Sequence, residues 1–273
     1  MTAYLVSGFR TPVGRYGGAL SSVRPDDLMA TAIKKTVEEA GLDPSTVDEV
    51  IIGNANGAGE ENRNVARMAW LLVGFPDTVP GITVNRLCAS GMSAIGIATA
   101  MVRSGMADVV VAGGVESMSR VPMGSDGGAW AMDPATSLAT DFIPQGVSAD
   151  LIATREGFSR AELDRFAAQS HRRAAAAWQE GRFARSVVPV TDMNGMTVLD
   201  RDETIRPDST VKTLATLKPS FEALGREAGF DAVALEKYSS LAGIEHLHHP
   251  GNSSGIVDGA ALTLIGSEEA GRR

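Results

Sequence analysis

Cys88 is the single cysteine in 273 residues, and its surroundings mark it as a candidate nucleophile. Residues 81–87 alternate and carry Ile82 and Val84, which predicts a strand. After Cys88 come Ala89, Ser90, Gly91, Ser93, Ala94, Gly96, Ala98 and Ala100, running to Gly105. This run predicts a helix with small side chains all round, thin enough to be enclosed on every side. Cys88 then stands where a strand gives way to a helix. Unpaired backbone N–H groups and the positive end of the helix dipole point at that place. A thiol there is expected to ionise more readily, and the thiolate is the attacking species. The competing reading is a small buried hydrophobe, since free cysteine is among the most buried residue types. The strand–Cys–helix setting favours the nucleophile.

Positioning such a residue takes a sheet, and the rest of the chain supplies one. Strands are expected at Ala3 to Phe9, Glu49 to Gly53 and Asp108 to Gly114, the last ending in glycines, and again over 259–266. Helices alternate with them. Arg24-Pro25-Asp26-Asp27 opens one whose stripe is Leu28, Met29, Ala32, Ile33, Thr36, Val37 and Ala40, and residues 62–73 form another. Apolar strands alternating with helices predict an α/β fold, a mixed, mostly parallel sheet with helices on both faces and its sites at the carboxyl ends of strands. From Glu116 the character changes. Residues 118–138 are irregular, Ser159-Arg160-Ala161-Glu162 is a capping box, and 222–247 reads as amphipathic helix. The expected organisation is a core of 1–116 and 250–273 interrupted by an inserted, α-rich loop domain over 117–249.

Composition narrows the function classes. The chain is 44% hydrophobic and 21% charged, enough for a real core. A net charge of -8 argues against nucleic acid as the main partner. No run of about 18 apolar residues stands out as a membrane span. With one cysteine there is no internal disulfide framework. The amino terminus enters a strand without a basic lead. A soluble cytoplasmic protein is the expectation.

Several motifs in order resemble the thiolases, the acetyl-CoA acetyltransferases and 3-ketoacyl-CoA thiolases. Asn85-Arg86-Leu87-Cys88-Ala89-Ser90-Gly91 is similar to their nucleophile motif. Gly113-Gly114-Val115-Glu116-Ser117-Met118-Ser119 is similar to the run that leaves their core sheet, and residues 251–261 to the run that re-enters it. Arg10-Thr11-Pro12-Val13-Gly14 resembles the family's opening turn. Gly181-Arg182-Phe183 and Leu217-Lys218-Pro219 resemble pieces of its loop domain. The resemblance implies transfer of an acyl group between CoA thioesters through an acyl-cysteine on Cys88, forming or cleaving a 3-ketoacyl-CoA. It implies CoA contacts at Arg206, Thr213, Phe221 and Ser254, no cofactor besides CoA as substrate, no metal, and a homodimer or homotetramer.

Departures from the family qualify this. The second half of thiolases carries Asn-Glu-Ala-Phe, Gly-His-Pro and Cys-x-Gly-Gly-Gly runs that supply the activating histidine and a second cysteine. None of the three occurs here. The alternative is therefore a truncated, non-turnover half that binds CoA thioesters and pairs with another chain; a condensing enzyme of the ketoacyl synthase type is a third reading. Pro144-Gln145-Gly146 stands where the family often has His-Met-Gly. The stretch between Phe221 and Gly251 is long and ends in His246-Leu247-His248-His249. These histidines form a polar loop, offer a His-x-His ligand pair, or bring His248 or His249 to the thioester.

Overall fold

A computed structural model describes residues 1–272. The chain divides into two compact units, 1–126 with 183–204 and 256–273, and 127–182 with 205–255. The first unit runs β1 (Ala3–Arg10), β2 (Gly14–Arg15), α1 (Pro25–Glu39), β3 (Glu49–Gly53), α2 (Val65–Leu72), β4 (Gly81–Val84), α3 (Ser90–Ser104), β5 (Val109–Ser117), β6 (Val190–Thr191), β7 (Thr197–Leu199) and β8 (Val257–Ser267). Its main sheet has the order β1-β8-β5-β3-β4, with β2 also on β8. β4 and β5 both pair with β3 in parallel, while β8 lies antiparallel between β1 and β5. The expected mixed, mostly parallel α/β sheet is present. β5 does not end at Gly113-Gly114; it runs on to Ser117, because β8 pairs with it as far as Ser117↔Asp258.

The two faces of the sheet hold separate cores. Val50, Ile52, Val109, Val111, Leu262 and Leu264 meet α1 and α2, where Leu28, Ile33, Val65 and Trp70 are fully covered or nearly so. Ile51, Val110, Ala112 and Ile265 meet Ala94, Ala98 and Val102 of α3. Each large aliphatic side chain so buried contributes on the order of 1.5–3 kcal/mol. α3 departs from the sequence reading. It is not enclosed all round: only its Ser90, Ala94, Ala98, Val102 stripe is buried, while Met92 is 77% and Ile97 40% exposed. Its 87–104 window also has a mean hydropathy of 1.2 over 18 residues, enough by length and composition to cross a membrane. The sequence expectation of no such run is corrected here. Alanines and methionines raise the mean without a solid run of large apolar side chains, and the buried stripe rests on the sheet, as in a core helix.

The stretch 183–204 belongs to the first unit and is tied to its opening turn. Arg10 grips Asp202 with two hydrogen bonds of 2.7 and 2.9 Å and lies 5.0 Å over the Phe183 ring, and Val13 N donates to the same carboxylate. A planar guanidinium held at both fork and face is the geometry for which arginine is chosen over lysine.

The second unit is helical: α4 (Ala129–Met132), α5 (Pro134–Ala139), α6 (Gln145–Glu156), α7 (Arg160–Gln179), α8 (Val211–Leu214), α9 (Glu222–Arg226) and α10 (Phe230–Lys237). The predicted capping box forms, Ser159 N donating to Glu162 Oε2 at 2.9 Å. The single helix expected over 222–247 is instead two short ones. Gly229, at φ +83, breaks the run, and residues beyond Tyr238 leave the helix. Val147, Leu151, Ala234 and Ile244 form this unit's core, with Phe221 and Phe230 against it.

Candidate active site

The chain turns from β4 into α3 through a tight left-handed elbow. Leu87 has φ +51, a conformation costly for a bulky side chain. Local hydrogen bonds over-determine it. Asn85 Oδ1 accepts from Leu87 N at 2.8 Å, while its amide donates to Ala55 O at 2.7 Å. The buried Ser90 hydroxyl accepts from Arg86 N at 2.8 Å and donates to Leu87 O at 2.6 Å. Cys88 follows the strained residue directly, two positions before the first helical residue, and its thiol is free and exposed. A reactive sulfur must be reachable and close to the helix start, and both conditions hold.

Bare backbone seats this elbow. A methyl group on Gly53 would collide with the Ser90 carbonyl carbon and Gly91 N, and one on Gly114 would lie 3.3 Å from Gly91 Cα. The first turn of α3 therefore rests on the main chain of β3 and β5. Beside it, Glu116 at the end of β5 accepts from Ala55 N at 2.9 Å and Asn56 N at 3.1 Å. Asn54 bridges the same strands, donating to Val115 O and accepting from Gly57 N. Glu61 lies beneath, fully buried, accepting from Ser117 N at 2.6 Å. Burial, with Glu116 opposite, pushes its carboxyl up to about 8. Asp258 of β8 takes Ser119 through N and Oγ at 2.8 and 2.5 Å. The two motifs around residues 116 and 258 are thus neighbours in space.

The four CoA candidates all lie in the second unit. Arg206 is exposed, and its backbone N donates to His171 Nδ1. Thr213 is exposed in a capping box with Thr210. Phe221 is half-buried, its ring so close over Gly146 that any side chain there would strike it. Ser254 is exposed in the loop before β8. Gly146 thus has a structural role in a run whose chemistry departs from the family.

The histidines of the 246–249 run are bound to carboxylates. Asp150, buried in α6, accepts from Leu247 N and His248 N at 2.9 Å, His248 Nδ1 at 2.7 Å and His246 Nδ1 at 2.9 Å. The other nitrogen of His246 meets Asp231 Oδ2 at 3.0 Å. His249, wholly buried, is bonded at both nitrogens: to Asp164 at 2.8 Å, and from Gly251 N at 3.0 Å. It is a structural residue, unavailable to a thioester. Among the described residues no group of three or more acidic, His or Cys side chains is arranged to hold a metal.

Comparison with known proteins agrees with the motifs. The family model described as the thiolase N-terminal domain matches residues 3–236. The β-ketoadipyl-CoA thiolase of Pseudomonas aeruginosa is 42% identical across 98% of this chain and 66% of its own length. The 3-oxoadipyl-CoA/3-oxo-5,6-dehydrosuberyl-CoA thiolase of Escherichia coli K12 is 40% identical, and the 3-ketoacyl-CoA thiolase of Bacillus subtilis 37%, over the same shares. The chain spans about two thirds of the length of these relatives, 66% in each case. With its N-terminal domain matched from residue 3 to residue 236, the chain belongs to the thiolase family.

Proposed function

We propose that this chain carries out the acyl-accepting step of a thiolase. The Cys88 thiolate attacks the carbonyl carbon of an acyl-CoA; a carbon–sulfur bond to Cys88 forms as the bond to the CoA sulfur breaks, and CoA leaves as a thiolate that takes up a proton. Passage of the acyl group to a second acceptor completes the transfer. The backbone N–H of Cys88 itself is the proposed donor to the developing oxyanion. The observation that carries this reading is the exposed sulfur on an over-determined elbow two residues before α3. For CoA, the cation of Arg206 suits the nucleotide phosphates, with Thr213, Phe221 and Ser254 along the pantetheine. The reading includes a cytoplasmic location, in keeping with an unpaired thiol, and no nucleic-acid or membrane partner.

A second reading is favoured by the open face of α3. With Met92 and Ile97 exposed, and with relatives half as long again, this chain is proposed to acylate without turning over until that face is covered. The cover is a second copy, another chain, or further sequence of the kind that the longer relatives carry. Incubation with acetyl-CoA followed by intact mass tests both. An acetyl adduct absent from Cys88→Ala is expected, without steady release of product from the isolated chain. No adduct on the native chain sinks the first reading; steady turnover sinks the second.

A further inference from the structure

We propose that Asp164 is a positioning residue for CoA: from inside α7 it fixes α8, which carries Thr213, in register with the 251–254 run, which carries Ser254. The inference rests on the reading of Thr213 and Ser254 as contacts along the pantetheine. Neither segment holds its own shape. α8 is a single turn, Val211–Leu214, far short of a length that is stable alone. The 251–254 run is neither helix nor strand. Whatever places their side chains must come from outside them.

The carboxylate of Asp164 is wholly buried and holds two arms. The first is Arg160, one turn earlier on α7, whose Nε meets the two oxygens at 3.2 and 3.0 Å. That pairing aims the far end of the guanidinium, and one terminal nitrogen donates to Leu214 O at 2.6 Å and to Leu217 O at 3.0 Å. These carbonyls lie at and just past the end of α8, where a helix leaves oxygens in need of donors. Leu214 adjoins Thr213 in the chain. The second arm is on Oδ1, which accepts from His249 Nε2 at 2.8 Å and from Asn252 Nδ2 at 3.0 Å. Gly251 N donates to His249 Nδ1 at 3.0 Å, so the ring proton sits on Nε2 and points at Asp164. Asn252 Oδ1 in turn accepts from His249 N at 2.8 Å, two residues before Ser254. The arms also meet each other. A methyl group on Gly251 would fall 2.6 Å from Leu214 Cδ2 and 2.9 Å from Leu217 Cδ1, so the run lies directly against α8. Stability alone would be served by the charge pair of Arg160 and Asp164. The two bonds to main-chain carbonyls add a fixed direction, which a guanidinium fork supplies and an ammonium does not.

The test is calorimetric binding of desulfo-CoA, which lacks the sulfur and cannot react with Cys88, set beside the melting temperature of each variant. Arg160→Lys, at a side chain 23% exposed, keeps a charge for Asp164 but has no fork with which to reach Leu214 O and Leu217 O. It is expected to melt near the native chain and to bind desulfo-CoA roughly fivefold more weakly, the size of one lost hydrogen bond. Asp164→Asn leaves one acceptor oxygen where there were two, so one arm faces an amide N–H whichever way the side chain turns. It should weaken binding at least as much. Arg206→Ala gauges the nucleotide end, and it should cost the same factor in the native chain and in Arg160→Lys. Native affinity in Arg160→Lys, or in a folded Asp164→Asn, overturns the proposal. So does an Arg206 cost that shrinks in the Arg160→Lys background, since the whole site would then have loosened. Weakened binding only in variants already unfolding at the assay temperature overturns it too, as does a native chain that does not bind desulfo-CoA. Acetyl-CoA labelling of Cys88 judges the acyl-acceptor reading separately: no adduct beside the expected binding pattern defeats that reading alone, and an adduct beside unchanged binding in the variants defeats this proposal alone.

Discussion

Glu61 in the sheet unit and Asp150 in the helical unit are both buried carboxylates, and their environments send them in opposite directions. Around Asp150, burial alone would raise the carboxyl. The hydrogen bonds from His248, Leu247 N and His246 outweigh it and hold the group below its ordinary range. Glu61 has one backbone donor and a second acid for a neighbour, so burial wins and the carboxyl rises to about 8. Depth does not decide the charge of a buried acid; the count of donors around it does. One centre is a clasp that holds a long loop onto α6. The other is a buried acid bonded through one oxygen to Ser117 N, its second oxygen without a partner among the described residues.

Three changes would break or sharpen this contrast. Replacing Asp150 by Ala strands four donors, two of them imidazole nitrogens, and should lower unfolding free energy by about 3–5 kcal/mol in a denaturant titration. A loss below about 1 kcal/mol would remove the clasp as a stabilising element. Next in size is His246→Gln. Burial lowers the histidine, but Asp150 and Asp231 together outweigh it, so the folded chain holds the second proton more tightly than the unfolded one. That contribution is present below the ordinary histidine value of 6.5 and is lost as pH rises through the raised one. The variant should be less stable than the native chain by about 1–3 kcal/mol at acid pH, with the gap closing in base. A gap that is constant with pH would mean that His246 titrates alike in the folded and unfolded chains. Smallest at neutral pH is Glu61→Gln. The raised carboxyl stabilises the fold fully below its ordinary 4.5, and that contribution is lost as pH rises toward about 8. The melting temperature of the variant should therefore match the native one near the acid end and exceed it in base. Parallel melting curves across pH would show that Glu61 titrates alike in the folded and unfolded chains.

The parts of this design that were legible in the sequence are those written locally. The strand, Cys88 and the following small residues give the elbow its place, and Ser159 with Glu162 gives α7 its start. The alternation of strands and helices gives the sheet. What was hidden depends on partners far along the chain. Nothing near His248 or His249 announces that Asp150 and Asp164, 98 and 85 residues earlier, take their nitrogens. Glu61 lies 56 residues from the Ser117 N–H it receives and carries no motif of its own. Asn85 and Ser90 sat inside the matched motif, yet their role in securing the positive φ of Leu87 shows only in three dimensions. The helix around Ala94 was correctly read as thin, but thinness on every side says that cover is possible, not that this chain provides it.

The glycine seat beneath α3 has a further consequence. Gly53, Gly91 and Gly114 set the height of the helix end against main-chain atoms, which every sequence shares. Mutational drift among the aliphatic side chains of either core can therefore alter filling and melting behaviour while the sulfur keeps its coordinates. The reference level of the reactive atom is built from main-chain contacts that only substitution of the seating glycines themselves would disturb.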